Sequence, residues 1–255
     1  MDLPGSSSVP TPTAPHPILK KYYGREGDRE PFVTALFDSA AKDYDRSCAL
    51  GSLGSGQFYR HWVLLRSGLG PGMKLLDVAT GTGLVARAAT AIVRERGAVI
   101  GLDPSAGMLR QGRQAHSALL VQGTVEALPF GDGDFDFVSM GYALRHMADL
   151  RVAFTECRRV LKPGGRLLVL EISQPRSLLG GWLARAYLER ILPFAMRLAG
   201  SAQAALLMKY HWDTIAACLP PDAILEVLRV SGFAPVERRV RGGLLSEYLG
   251  VKPPT

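Results

Sequence analysis

Five short apolar runs punctuate the middle of the chain: KLLDVA (74–79), AVIGLD (98–103), ALLVQG (118–123), FDFVSM (135–140) and GRLLVLEIS (165–173). They are close to continuous rather than alternating, the pattern of strands buried on both faces. Between most of them lie stretches with apolar residues at helical spacing. Strands alternating with helices predict an α/β fold with a parallel sheet between two helical layers.

The boundaries of these elements carry their own signals. Ser105 follows Pro104 and precedes AGMLRQGRQ, as a capping residue does, and LKPGG (161–165) stops the helix VAFTECRRVL. Upstream, REPFVTALFDSAAKDYDRS and the stretch around FYRHWVLLRSG read as helices separated by the glycine-rich LGSLGSG. Downstream come a helix, DAILEVLRVSG, and two strand candidates, APVERRVR and LLSEYLGVK, joined through two glycines. A two-glycine link suits a tight hairpin, so the last strand is expected to run antiparallel to the rest.

Two segments do not belong to this alternation. Residues 1–18 are rich in Pro, Ser and Thr and lack the basic start and apolar run of a secretory signal, so they read as a flexible tail. The most apolar region, 177–208, is interrupted by Arg185, Glu189, Arg190, Pro193 and Arg197. That leaves no uncharged run of about 20 residues, the length a membrane-spanning helix needs. The expected organisation is the tail, a helical cap over 19–70, and a single domain over 71–255 with a helical insertion at about 177–211.

Composition changes this picture little. The 255 residues carry a formal charge of +7, with Lys and Arg scattered along the chain, which reads as a solvated basic surface rather than a nucleic-acid site. A peripheral contact with an anionic membrane is the other reading of that charge. Cys48, Cys157 and Cys218 form no CxxC and no paired framework, which suits buried thiols in the cytoplasm.

The chemistry is concentrated after the first strand. GTGLVA (81–86) satisfies the glycine pattern of a nucleotide-binding turn, and Asp103 stands 20 residues beyond Gly83, where a ribose-binding acid belongs. A dinucleotide and S-adenosylmethionine both use such a turn. Asp77, four residues before Gly81, would face a pyrophosphate with like charge, but it would meet the ammonium of a methionine moiety with opposite charge. An antiparallel final strand favours the same ligand, because dinucleotide domains usually stay parallel.

The resemblance to a known family is now specific. FDSAAKDYD, LLDVATGTG, EALPFGDGDFDFVSMGYALRHMADLRVAF, RRVLKPGGRLLVLEISQP and SGFAPVERRVRGGLLSEYLGVKP resemble consecutive blocks of the ubiquinone/menaquinone biosynthesis C-methyltransferases. The likeness runs from about Phe37 to the C-terminus. It implies a Rossmann-like class I methyltransferase with a mostly parallel seven-stranded sheet and an apolar lid after the fifth strand. It also implies a site for S-adenosylmethionine at Tyr44, Asp77, Ala79, Thr80, Gly81, Thr82 and Gly83 (methionine side), Asp103 and Pro104 (ribose), Met108, Gly123, Thr124 and Val125 (adenine), and Gly141 near the methyl group.

Methyl transfer from a sulfonium is a direct displacement, so alignment and exclusion of water matter most and no metal is required. Methylating a ring carbon adds one demand: a phenolic proton must be removed or strongly hydrogen-bonded. The resemblance assigns activation of the ring hydroxyl to Arg145; His146 stands where the family has asparagine and offers a base, and Tyr142 is a third candidate. Tyr44, His61, Trp182, Trp212 and Met208 are read mainly as packing.

An apolar insertion in the lid position points to a hydrophobic aromatic acceptor such as a prenylated quinol, and it can also serve as a homodimer contact. The family's Tyr-Asp-x-Met-Asn segment survives only as Tyr44 and Asp45, followed by Ser47 and Cys48, and Leu84 replaces the usual acid after GTG. These departures leave open an O- or N-methyltransferase of a specialised aromatic or polyketide-like metabolite. A dinucleotide oxidoreductase is disfavoured by Asp77, and a non-catalytic quinone-binding subunit by the intact GTG and Asp103.

Overall fold

A computed structural model describes residues 13–95, 98–115, 118–175, 177–198 and 201–254. Among them, seven strands form one sheet in the order β3-β2-β1-β4-β5-β7-β6: β1 (Leu75–Val78), β2 (Val99–Asp103), β3 (Leu119–Gln122), β4 (Phe135–Gly141), β5 (Leu161–Ile172), β6 (Val236–Arg241) and β7 (Leu245–Val251). The first five are parallel, while β7 is antiparallel to both β5 and β6. The fold is the expected one.

Successive residues of each central strand feed opposite cores, because side chains alternate across a sheet. Leu76, Val78 and Leu102 pack with Phe154 and Cys157 of α5 (Leu150–Val160) and with Val227 of α9 (Pro221–Val230). Leu75, Val99 and Phe137 face the other way, onto Val63 and Leu64 of α2 (Gly56–Arg66) and Val85 and Ala89 of α3 (Leu84–Val93). Both faces are therefore covered, which is why the strand sequences read as apolar throughout. At the hairpin, Gly242 and Gly243 have φ of 56° and 69°, and the Leu244 N–H returns 3.1 Å to the Arg241 carbonyl.

The cap and the insertion form a third core together. Helix α1 (Arg29–Gly51) packs through Leu36 and Ala40 against Leu192 and Met196 of α7 (Leu192–Leu198) and Ala204, Leu207 and Met208 of α8 (Ala202–Ala217). The insertion opens with α6 (Leu178–Arg185) and a π-helical turn at Ala186–Ile191, and its last helix continues past His211 to Ala217. No helix among the described residues is long and apolar enough to cross a membrane.

One expectation needs correcting. Residues 1–12 of the expected tail lie outside the described residues, but 13–18 are bound to the fold. The Leu150 N–H donates to the Thr13 carbonyl and the Leu219 N–H to the Pro15 carbonyl, each at 2.8 Å. His16 is buried, and its carbonyl accepts from the Arg29 guanidinium at 3.0 Å. Composition alone reports flexibility poorly when backbone groups find partners on the domain.

Candidate active site

The glycine turn leaves β1 through three positions of positive φ. Ala79 has φ of 50°, Gly81 of 60° and Gly83, which begins α3, of 81°. Tyr142, just past β4, has φ of 62°. Non-glycine residues in this region are uncommon and collect at functional sites. Here two of them flank the carboxyl ends of neighbouring strands, where open α/β sheets bind ligands.

The two expected acids anchor the turn. Asp77 accepts hydrogen bonds from Thr80 Oγ1 at 2.6 Å and Ser139 Oγ at 2.7 Å. Asp103 accepts from the Gly81 N–H at 2.7 Å and the Ser105 N–H at 2.9 Å. Burial pushes the carboxyl of each up to about 6, against the pull of those same hydrogen bonds. Ser105 also caps the following helix, accepting from the Met108 N–H at 3.1 Å.

A first cavity opens at this end of the sheet. Of the residues expected to hold the cofactor, Tyr44, Ala79, Gly81, Asp103, Pro104, Thr124, Val125 and Gly141 border it. Asp77 and Thr80 border a smaller space beside it, next to Arg60. Four others do not reach either space. Met108 is fully buried in α4 (Ala106–Ala115), Gly83 caps α3, Gly123 donates its N–H to the Asp103 carbonyl, and the Thr82 hydroxyl bonds to Asp45.

These residues fit S-adenosylmethionine. The space left by the missing Gly81 side chain is part of the cavity, since a Cβ there would meet only the Tyr44 ring, 3.8 Å away. Asp77 would meet the donor's ammonium with a carboxylate and Asp103 its ribose hydroxyls, and Val125 and Phe37 would wall its aromatic base.

A second cavity, of about 300 Å³, lies under the insertion. Its apolar side comes from Tyr187, Leu188 and Leu192 of the insertion, and from Met208, Trp212 and Ile215 of α8. Its polar side comes from Cys48, Tyr59, Arg60, Arg145 and His211. Tyr44 and Tyr142 border both cavities and so mark where they meet. Trp212 and Met208, expected as packing, thus line the second cavity; Trp182 is exposed instead.

The catalytic candidates separate here. Arg145 borders the second cavity, but it is also ion-paired with buried Glu171 and donates through Nε to Thr214 Oγ1 at 3.0 Å. Burial raises the Glu171 carboxyl, and the Arg145 charge opposes that. Tyr142 lies beneath the Arg60 guanidinium, 5.5 Å from its ring centre, and burial pushes its hydroxyl up to about 12.

His146 borders the first cavity, not the second, and burial and Arg145 hold it well below the ordinary histidine value. The expectation of a base at that position is corrected on position: the ring borders the first cavity, not the one under the insertion. His61 borders none of the cavities described here. The sequence alone names no role for Arg60, Glu171 or His211, and it marks Cys48 only as a departure from the family's pattern.

Asp38 and Asp45 tie α1 to the site. Asp38 accepts from Ser105 Oγ and the Gly107 N–H, and Asp45 from the Thr82 hydroxyl. The cap is therefore fastened to the glycine turn and to the start of the helix after β2.

A sheet of this order, with an acid-bearing glycine turn at its switch point and a second cavity under an insertion, defines a class I S-adenosylmethionine-dependent methyltransferase. Within that class, residues 25–252 match the ubiE/COQ5 methyltransferase family, and the chain belongs to it.

The demethylmenaquinone methyltransferase of Mycobacterium sp. (strain JLS) is 34% identical over 230 residues, covering 89% of this chain and 97% of the relative. That of Mycobacterium tuberculosis (strain CDC 1551 / Oshkosh) is 34% identical over 229 residues, 89% and 95% of the two chains. Two solved structures share the fold. A putative S-adenosylmethionine-dependent methyltransferase from Methanococcus maripaludis superposes with a TM-score of 0.62 at 16% identity, over 86% of this chain and 95% of that one. A possible histamine N-methyltransferase from Thermotoga maritima gives 0.60 at 20% identity, over 86% and 99%.

Proposed function

We propose that the protein transfers a methyl group to a ring carbon of a lipophilic hydroquinone. The observation that carries this reading is the junction at Tyr44 and Tyr142: a cavity suited to the methyl donor opens there onto a cavity roofed by apolar residues of the insertion. The relatives' names, demethylmenaquinone methyltransferase, point to the same acceptor class.

S-adenosylmethionine, when bound, supplies an electrophilic methyl group on a sulfonium. The chain supplies the rest. Asp77 and Asp103 fix the donor's ammonium and ribose, Arg145 and Arg60 place positive charge where an acceptor oxygen ionises, and the insertion excludes water from the reacting atoms. Leu188, Leu192 and Ile215 offer the tail of the acceptor an apolar path.

The same reading places the protein on an anionic bilayer. Leu53, at φ of 49° and 86% exposed in the turn between α1 and α2, and Phe58, 78% exposed on the first turn of α2, project beside the second cavity. Trp182 and Leu183 project from the insertion, among the exposed Arg185, Arg190 and Arg197. The Tyr187 hydroxyl bonds the Leu50 carbonyl at 2.9 Å, so both apolar groups flank one cavity. Exposed aromatic and aliphatic side chains among arginines suit the interfacial zone of a membrane.

The test is incubation of the purified protein with labelled S-adenosylmethionine and demethylated quinols, prenylated and unprenylated, with products identified by mass and proton NMR. A ring-carbon methyl supports the reading, whereas a methoxy product, or methylation of simple phenols and catechols but of no quinol, replaces it with the specialised-metabolite alternative.

A further inference from the structure

We infer that His211 is the base that receives the acceptor's hydroxyl proton, held for that purpose against His146; this rests on the aromatic-acceptor reading above. The two imidazoles come from different parts of the chain, His146 from the turn after β4 and His211 from α8, yet their rings stack with centres 5.6 Å apart at 29°. His146 is stacked on its other neighbour, Tyr210, at 5.4 Å and 20°, and meets the edge of Phe37 at 5.3 Å. A ring fixed by three aromatic partners gives His211 one orientation.

The pair divides the two cavities. His146 borders the cofactor cavity and His211 the acceptor cavity. Both nitrogens of His146 and Nε2 of His211 are buried without a hydrogen-bond partner among the described residues. A buried imidazole nitrogen left unpaired is costly, and such a group bordering a cavity marks a place where a ligand completes the bonding. His211 is the one within the acceptor's space.

The charged and titratable groups around His211 agree with a neutral acceptor of protons. Arg145, from the turn that also carries His146, lies beside it and is itself held by Glu171 of β5. Tyr44 and Cys48 of α1 border the same cavity, and burial raises the pKa of both, keeping them protonated. Burial and Arg145 hold His211 below the ordinary histidine value, as they do His146, which favours the neutral imidazole, with one N–H and one bare nitrogen, for both rings. A fixed cation beside a neutral imidazole favours the acceptor as a phenolate, since the new negative charge is met by Arg145.

The acceptor's O–H bond breaks and its proton moves to the imidazole. The electron pair passes through the ring to the adjacent carbon, which forms the new carbon–carbon bond as the methyl–sulfur bond breaks and sulfur keeps that pair. The ring carbon then loses its hydrogen as a proton to water, and His211 returns its proton to the oxygen. One proton is released per methyl transferred.

Three variants test this, His211→Phe, His211→Gln and His146→Asn. Phe keeps the ring stack and removes the nitrogen. It should lower kcat by about 100-fold or more, in the range of general base catalysis, while S-adenosylmethionine raises Tm as much as in wild type. The loss should shrink about tenfold for each pH unit towards the phenol's own pKa, a profile that a packing role would not produce.

The readout independent of turnover is 15N NMR of the imidazoles in donor-free protein. Adding 4-nitrophenol should shift the His211 nitrogens as the phenol O–H bonds to the bare imidazole nitrogen, a change that has no counterpart in His211→Gln. His146→Asn, a positioning change, should weaken that shift without abolishing it. No shift at saturating 4-nitrophenol, or wild-type kcat in His211→Phe, overturns the inference. If the protein methylates no quinol or phenol yet the NMR shift is present, the acceptor assignment fails and the proton-accepting role of His211 stands.

Discussion

Arg145, on the wall of the second cavity, forms an ion pair with Glu171, each about 1% exposed, although one follows β4 and the other lies within β5. Arg145 thus has two duties, a charge towards the cavity and the neutralisation of a buried carboxylate. Thr214 of α8 accepts from the same guanidinium, so the pair also fastens the insertion to the sheet.

Removing one partner should cost more than removing both. Arg145→Met leaves Glu171 buried without its countercharge and should lose about 3–5 kcal/mol of unfolding free energy. The double variant Arg145→Met/Glu171→Met should recover most of that loss. Urea unfolding at pH 7 measures both. If the single variant stays within about 1 kcal/mol of wild type, a typical surface-pair value, the pair is not the buried anchor described here.

Asp77 and Asp103 give two pH effects of opposite sign. Their folded values of about 6 lie above the ordinary 3.8, so protonation favours the folded state. Their stabilising contribution is complete below about 4 and is lost as pH rises through 6. S-adenosylmethionine needs both as carboxylates, so its affinity should grow over the same interval. The donor's increment in Tm, measured from pH 5 to 8, should rise to a plateau near 7. An increment independent of pH would remove both acids from donor binding.

Much of this was legible in the chain. The five parallel strands, the hairpin and Asp77, Gly81 and Asp103 follow from apolar runs, turn glycines and spacing, all of them local signals. The acceptor side is different. His211 meets His146 only because α8 folds back over the turn after β4, and Arg145 meets Glu171 only across two strands. Contacts between residues 65 and 26 positions apart leave no periodicity in a sequence. The ordered segment 13–18 was hidden for a related reason: backbone hydrogen bonds, not side chains, hold it.

Gly81→Ala tests the cofactor cavity. At φ of 60° an alanine is strained, and its methyl group would stand 3.8 Å from Tyr44, inside the space assigned to the donor. The strain should cost about 1 kcal/mol, while S-adenosylmethionine affinity falls at least about tenfold, equivalent to 1.4 kcal/mol. Calorimetric titration reads the affinity, and an unchanged Kd would place the donor elsewhere.

Charge on the apolar rim should release the protein from membranes. Leu53→Glu/Phe58→Glu, at exposed positions, should leave Tm and donor binding as in wild type. Co-sedimentation with vesicles of phosphatidylglycerol and phosphatidylcholine should fall several-fold. Equal sedimentation of variant and wild type would leave the rim without a lipid partner, and a dimer in wild type that the variant disrupts would assign it to a second copy.

The central claim is that a methyl group reaches a ring carbon from a donor held at Asp77 and Asp103. The most direct measurement supplies methyl-labelled S-adenosylmethionine and a prenylated demethylated hydroquinone to the purified protein and locates the label by NMR. Label on a ring carbon, absent with Asp103→Ala, is the predicted result. Label on oxygen, or an unaltered quinol beside a protein that binds the donor, would contradict the account.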